Sequence, residues 1–126
     1  MDRVARVQEL WESLARGELA PLQAALEPAA RWRAVEDGPW NCESAPAIVD
    51  VMRHNLETGR SEGRIEESFA LGDRVLVAFR PTNNPNPAWP LEDGLRWMVV
   101  TFAGDRVAEL KGCATRADVL SYAAAG

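Results

Sequence analysis

Apolar side chains recur at helical spacing near the start of the chain. Over residues 3–16 the large apolar positions fall every three or four residues, on one stripe of an amphipathic helix that ends at Gly17. The stripe consists of Val4, Val7, Trp11 and Leu14. A second, shorter helix is predicted from about Pro21 to Leu26, because Pro28 closes it.

A third helix is predicted after Ser44, whose side chain is a favourable N-cap. It runs to about Glu57 and ends at Thr58–Gly59. Its inward stripe is Ile48, Val51, Met52 and Asn55. At about 100° per residue, His54 falls roughly opposite that stripe, so we expect this histidine to face solvent.

Strand patterns dominate the second half of the chain. The predicted strands are 31–36, 65–71, 74–80, 95–103 and 106–113. Two-residue turns at Gly72–Asp73 and Gly104–Asp105 join the last four into hairpins, and residues 116–124 predict a closing helix. Helices grouped before antiparallel strands indicate an α+β fold, with the helices packed on one face of a curved, mostly antiparallel sheet. The proline-rich segment 81–93 between the hairpins is predicted to be a mobile or ligand-responsive loop.

Turn length predicts which residues share a face of each hairpin. One face of the first hairpin carries the opposed pairs Phe69–Leu76, Glu67–Ala78 and Ile65–Arg80. One face of the second hairpin carries Trp97, Val99, Thr101, Ala108, Leu110 and Gly112. Its other face carries Arg96, Met98, Val100, Phe102, Val107, Glu109 and Lys111.

Large apolar groups on both faces require a cover for each, since large exposed apolar patches are rare on monomers. We expect the helices to cover one face and a second copy of the chain to cover the other. The predicted homodimer contact consists of Met98, Val100, Phe102 and Val107.

Composition and charge narrow the classes of partner. The 126 residues are 47% hydrophobic and 26% charged, which is typical of one soluble globular domain spanning 1–126. The net charge of −5 disfavours nucleic acid, and the longest apolar run, Trp97–Phe102, is far shorter than the ~20 residues of a membrane span. Without a signal peptide or a disulfide framework, we expect a cytoplasmic protein with no cofactor and no metal. Cys42 and Cys113 are interpreted as packing residues.

Tryptophan is unusually frequent, with five residues beside three Phe and one Tyr. It favours sites that have an apolar side and a polar edge. Trp11, Trp32, Trp40 and Trp97 therefore either fill a small core or line a wide aromatic pocket. Trp89, in the proline-rich segment, is either an anchor for that loop or part of a lid.

Two short motifs and the order of the elements carry a family resemblance. Val35–Pro39, followed by a helix that begins near Ala47–Ile48, is similar to the Val-Glu-Asp-Pro stretch of ketosteroid isomerases. Gly104–Val107 is similar to the turn before their last strand. Nearly the whole chain thus resembles the NTF2-like superfamily, which includes those isomerases and the SnoaL-like polyketide cyclases. The resemblance implies a cone whose open end holds a small ligand.

The resemblance also implies roles for individual residues. Asp37 takes the position of the proton-shuttling base. The positions that would face the cavity, in agreement with the faces derived from turn length, are Leu76, Ala78, Arg80, Ala108, Leu110 and Gly112.

The chain departs from the isomerases at both oxyanion donors. The family tyrosine falls at or beside Leu10 and Trp11, and the second aspartate falls at Trp97 or Met98. Losing one such donor costs about 3 kcal/mol or more, so we do not expect steroid isomerisation.

The polar candidates have two interpretations each. Glu67 and Arg80 are either a surface pair or a polar patch inside the cavity, and Asn55 is either a core amide or a cavity group. The predicted ligand-binding residues are Trp11, Trp32, Trp40, Asn55, Glu67, Arg80, Trp97 and Leu110.

Three functions remain open from the sequence. The first is binding of a small apolar or aromatic molecule in a tryptophan-lined cavity. The second is a cyclase, isomerase or dehydratase-like enzyme with Asp37 as general acid/base, which a carboxylate buried against tryptophans would favour. The third is a dimeric structural or interaction module, which a cavity plugged by Trp97 would favour.

Overall fold

The described residues form helices packed against one mixed sheet. The computed structural model describes residues 2–82 and 89–125. In chain order, the elements are α1 (Arg3–Ala15), α2 (Ala20–Ala25), β1 (Leu26–Arg33), α3 (Ala45–Glu57), β2 (Gly63–Leu71), β3 (Arg74–Pro81), β4 (Arg96–Ala103), β5 (Arg106–Cys113) and α4 (Arg116–Ala124). The sheet order is β1-β5-β4-β3-β2, with β1 parallel to β5 and the other neighbours antiparallel. The predicted α+β class is confirmed.

Short polar side chains fix where three of these helices begin. Asp2 accepts a hydrogen bond from the backbone N–H of Ala5 at 3.1 Å at the start of α1. Ser44 does the same for α3, and Thr115 does so for α4. Each satisfies an N–H group that has no partner within the helix. The predicted spans of α1, α3 and α4 are confirmed to within a residue.

The first strand differs from its prediction. β1 begins at Leu26 and ends at Arg33, whereas the sequence pattern predicted residues 31–36. It lies at the edge of the sheet, where a residue such as Pro28, which has no backbone N–H to donate, can be accommodated. Its pairing with β5 is irregular between Leu26 and Arg31, so the strand passes the proline through a bulge.

Two single-residue bulges shift the predicted hairpin registers. Phe69 lies opposite Leu76 as predicted, but the extra residue Glu66 places Ile65 opposite Phe79. The prediction that Ile65 lies opposite Arg80 is therefore wrong.

The second hairpin contains the other bulge. Ala108 is the extra residue, so Thr101 lies opposite Glu109 and Val100 lies opposite Leu110. Leu110 consequently shares a face with Val100 instead of Val99, which corrects the predicted face assignment.

The two faces of the sheet are covered by different helices. The inner face packs against α1, α2 and α3; its buried strand residues include Val75, Val77, Phe79, Met98, Val100, Phe102, Val107 and Leu110. The outer face packs against α4; its buried strand residues are Leu76, Ala78, Trp97, Val99 and Cys113. Leu76, Ala78 and Trp97 were predicted to face the helices and the cavity, and this is wrong. Alternation shows which residues share a face, but two equally apolar faces do not show which one the helices cover.

The predicted dimer contact is also wrong in its location. Met98, Val100, Phe102 and Val107 are at most 3% exposed and lie beneath the chain's own helices. The outer face of the sheet is covered by α4 of the same chain. A homodimer stays a prediction.

Polar contacts fasten the end of α4 to the sheet. Arg74 Nη1 donates to the carbonyl oxygens of Tyr122 and Ala123, at 3.1 and 2.8 Å, where a cation complements the helix C-terminus. The Tyr122 hydroxyl donates to the Glu109 carboxylate, which also pairs with Arg33 at 3.0 Å. Burial and the bond to Glu109 raise the pKa of Tyr122 to about 12, so the hydroxyl keeps its proton at neutral pH.

We predict that Val119→Asp detaches α4. Val119 is fully buried against the outer face, and an unpaired carboxylate there should lower the free energy of unfolding by about 3 kcal/mol. Size-exclusion chromatography should show self-association as the outer face becomes exposed. Ser121→Asp, at an exposed position in the last turn of the same helix, is the control; it should cost less than about 1 kcal/mol and cause no self-association.

We predict that Gly63→Ala lowers the free energy of unfolding by about 2 kcal/mol or more. Gly63 has φ +145°, and a Cβ atom there would lie 2.3 Å from the carbonyl oxygen of Arg80 and 2.7 Å from the Phe79 ring. Gly38→Ala is the control, since a Cβ at Gly38 meets nothing within 4 Å. Equal melting temperatures for the two variants would contradict this account of β2.

Candidate functional site

A cavity of about 320 Å³ opens between α3, α1 and the inner face of the sheet. Its aromatic lining comes from five segments of the chain and consists of Trp11, Trp32, Trp40, Phe79 and Trp89. Apolar side chains, among them Leu14, Val51 and Met98, fill the gaps between the rings. Such a lining suits a flat apolar molecule, because aromatic rings stack with one another in offset or edge-to-face geometry.

Trp32 and Trp89 form a fixed wall of this cavity. Their rings meet edge to face with centroids 5.5 Å apart and an interplanar angle of 68°. The Trp89 indole N–H donates to the carbonyl oxygen of Cys113 at 3.1 Å. A Cβ atom at Gly112 would lie 3.2 Å from the Trp89 ring, so the absence of a side chain lets the indole lie close against β5. Of the two interpretations of Trp89, the geometry favours the anchor.

Trp40 differs from the other cavity tryptophans in its exposure. It is 53% exposed, whereas Trp11, Trp32 and Trp89 are each at most 8% exposed. It lies in the segment between β1 and α3, so its ring forms part of the cavity opening.

Two arginines bring positive charge to the cavity lining. Arg96, at the start of β4, is only 8% exposed, and its guanidinium lies 5.1 Å from the centre of the Trp89 ring and 5.7 Å from that of Phe79. Its Nη1 donates to the carbonyl oxygen of Arg60 at 3.3 Å. Burial, and then the nearby charge of Arg60, lower the pKa of Arg96 to about 10, so Arg96 is still a cation at neutral pH.

The α3 side of the cavity carries its remaining polar groups. Asp50 and His54 are exposed and line the opening, and Asp50 pairs with Arg53 at 3.3 Å. The predicted exposure of His54 is therefore confirmed, although the residue also borders the cavity. Asn55 is half-buried beside Met52 and also contributes to the lining.

The structure brings half of the predicted ligand-binding residues together. Trp11, Trp32, Trp40 and Asn55 all line the cavity. Their role in binding stays a prediction.

The other half lie elsewhere, because Glu67 and Trp97 belong to the face that α4 covers and the bulge at Ala108 changes the position of Leu110. Glu67 points to the outer side and pairs with Arg116 at the start of α4, at 2.5 Å. Trp97 is on the outer face, with the Arg116 guanidinium 5.6 Å from its ring. Leu110 is on the inner face but is fully buried in the core.

Arg80 also lies outside the cavity. It pairs with Glu66, the bulge residue of β2, and this hydrogen bond holds the pKa of Glu66 below its usual range. Glu67 and Arg80 therefore have separate partners, and the interpretation of the two as one polar patch inside the cavity is wrong.

Asp37 occupies an exposed loop between β1 and α3. Its Oδ1 accepts from Asn41 Nδ2 at 3.2 Å, and Asn41 Oδ1 accepts from the Ala34 backbone N–H at 2.8 Å. The carboxylate is not buried against tryptophans and is not part of the cavity lining. Its role as general acid/base stays a prediction without geometric support.

Among the lining residues that sequence reasoning missed are Arg60, Phe79, Arg96 and Met98. Arg96 and Met98 were assigned to the face opposite the cavity because alternation does not show which face the helices cover, and Arg60 and Phe79 were not singled out. The available signal was the arginine at the start of an otherwise apolar strand, since a buried cation inside an aromatic shell is rarely there for packing alone.

Metal and thiol chemistry have no candidate group in this region. Within residues 2–82 and 89–125, no three His, Cys, Asp or Glu side chains are grouped as metal ligands. Cys42 and Cys113 are buried free thiols, and burial raises the pKa of Cys113 to about 11, which keeps the unreactive thiol form. None of the helices in the same ranges is long and apolar enough to cross a membrane. The predicted lid falls partly on residues 83–88, which lie outside the described ranges.

These elements define an α+β protein with the NTF2-like fold. No protein-family model and no curated protein matches the chain. Among solved structures, a protein from a Jannaschia species, named as a candidate SnoaL-like polyketide cyclase, is 17% identical with a TM-score of 0.69, over 98% of this chain and 92% of its own. An NTF2-like protein of unknown function from Cytophaga hutchinsonii is 11% identical with a TM-score of 0.62, over 91% of each chain.

A third similar structure limits what this likeness means. A de novo designed protein with a curved β-sheet is 14% identical, with a TM-score of 0.67, over 96% of this chain and 93% of its own. A fold that can be designed from first principles is compatible with many functions, so function has to be argued from the cavity.

We predict that Asn41 matters more than Asp37 for the loop that carries Trp40. Asn41→Ala removes the acceptor of the Ala34 N–H and should lower the free energy of unfolding by about 1–2 kcal/mol. Asp37→Ala removes one exposed hydrogen bond and should cost less than about 0.5 kcal/mol. Thermal melts of the two variants measure the difference, and a larger loss in Asp37→Ala would contradict this assignment.

Proposed function

We propose that this protein binds a small apolar or aromatic molecule in the cavity lined by Trp11, Trp32, Trp40 and Trp89. The observation that best supports this proposal is that these four indoles, which come from separate segments of the chain, line the same cavity. The cavity of about 320 Å³ is at the small end of the usual range of roughly 300–1,000 Å³ for ligand pockets. It therefore suits a compact ligand of one to three rings.

The position of the charged groups supports binding without chemistry. A general acid/base has to reach the reacting atoms, and Asp37 is outside the lining. The deepest ionisable group of the lining is Arg96, which keeps its proton at neutral pH.

The position of Trp97 supports an open cavity over a vestigial one. Its ring lies on the outer face beneath α4, so it does not fill the space between α3 and the sheet. The similar fold of a protein named as a candidate polyketide cyclase is consistent with a small organic ligand. The homodimer and the cytoplasmic location remain expectations from the sequence.

We predict that 2-naphthol, a neutral two-ring probe, binds at a single site in isothermal titration calorimetry. Trp40→Ala should weaken this binding roughly threefold to tenfold, because one stacking wall is lost. Trp40 is half exposed, so the melting temperature should stay nearly the same.

Leu71→Ala is the matched control, since Leu71 is also exposed (45%) and lies at the distant β2–β3 turn. It should bind 2-naphthol like the parent. The proposed function fails if neither 2-naphthol nor its charged analogue 2-naphthoate binds, or if the two variants weaken binding equally.

A further inference from the structure

Two neighbouring arginines contribute to the lining of a mostly apolar cavity. Arg60 and Arg96 both contribute to the lining, and Arg96 Nη1 donates to the Arg60 carbonyl oxygen at 3.3 Å. Burial, and after it the positive charge of Arg60, make the Arg96 cation less favourable. Two neighbouring cations in a mostly apolar lining are unfavourable by themselves, and a ligand that brings negative charge would offset this cost.

The Arg60 side chain has a hydrogen-bond donor that a ligand could use. Its Nε is buried, and within residues 2–82 and 89–125 this atom has no hydrogen-bond partner. Arg60 also forms no ion pair with any acidic side chain in those ranges, whereas surface arginines such as Arg31 and Arg80 each pair with a glutamate. A buried N–H that is left without a partner costs about 1–3 kcal/mol, which an incoming acceptor would recover.

The acidic groups near this pair leave room for an anion. Among the described lining residues the only carboxylate is that of Asp50, which is exposed at the opening and pairs with Arg53. The walls next to Arg96 are the rings of Phe79 and Trp89. Low polarity around the cations strengthens a charge-assisted hydrogen bond to a ligand.

We propose that the cavity selects aromatic carboxylates, with the ring between the tryptophans and the carboxylate on Arg60 and Arg96. This inference rests on the proposed function and adds the charge of the ligand to it. A planar carboxylate with two acceptor oxygens matches the fork of guanidinium donors, and a flat ring joined to it matches the indole walls.

The test compares two probes of nearly equal shape, 2-naphthoate and 2-naphthamide, by isothermal titration calorimetry at pH 7. The amide keeps the ring and the planar polar group but removes the charge. Naphthoate should bind roughly tenfold to a hundredfold more tightly, which corresponds to a charge-assisted hydrogen bond of about 1.5–3 kcal/mol.

Arg60→Gln and Arg96→Met should each remove most of the preference for naphthoate while naphthamide still binds. Arg106→Gln is the matched control: it makes the same change in net charge at an exposed position beside the β4–β5 turn, at the other end of β4 from Arg96. It should keep the parent's preference.

The affinity for naphthamide separates a binding role from a structural one. Arg96→Met removes a buried charge but also loses a hydrogen bond to the Arg60 carbonyl oxygen and two ring contacts, so its melting temperature alone does not decide. If Arg96 serves the carboxylate of a ligand, the folded variant should bind naphthamide like the parent. If Arg96→Met does not fold, Arg60→Gln decides alone.

Equal affinity of the parent for the two probes would overturn this inference and leave the proposed function intact, as would an unchanged preference in Arg60→Gln. Failure of naphthoate, naphthamide and 2-naphthol alike would overturn both.

Discussion

The structure depends on a sheet that is apolar on both faces. Val99 and Val100 are adjacent in β4, point to opposite sides, and are both fully buried. Burying a side chain of this size stabilises the fold by about 1.5–3 kcal/mol, but only if each side has a cover. The N-terminal helices cover the inner face, and α4 covers the outer one.

The cavity lies on the inner face, between the sheet and the N-terminal helices. Toward the start of β4 the inner face meets aromatic rings and two arginines instead of close-packed aliphatic side chains. The rings of Trp32 and Trp89 hold each other in a fixed geometry, and Trp89 is further held by its bond to β5. The site is therefore preorganised along one wall, while Trp40 at the opening is exposed.

Much of the fold could be predicted because local rules decide it. Ser44 as an N-cap, Gly17 with φ +83° at the end of α1, and the Gly-Asp turns fix element boundaries from neighbouring residues alone. β1 was mispredicted because its pairing with β5, a contact between distant segments, outweighs the local signal of Pro28.

The site was harder to predict because it depends on which face of the sheet the helices cover and on the register of the strands. One extra residue at Glu66 and one at Ala108 move side chains to new partners, and neither residue has a sequence signature of a bulge. A one-residue shift exchanges the faces of a strand. Tryptophans at positions 11, 32 and 40 were found because they belong to the N-terminal half, where no such shift intervenes. Arg96 and Met98 were assigned to the wrong side because alternation groups them on one face of β4 but does not show which face the helices cover.

The central claim is that the cavity, and not the outer face, is the ligand site, and the tryptophan indole N–H signals test it directly. The chain has five tryptophans, of which four line the cavity while Trp97 lies on the outer face as an internal control. In ¹H–¹⁵N correlation spectra recorded during a titration with 2-naphthoate, the account predicts shifts of the indole signals of Trp11, Trp32, Trp40 and Trp89, with that of Trp97 unmoved. A shift of Trp97 as large as those of the other four, or no shift of any cavity tryptophan at saturating ligand, would contradict it.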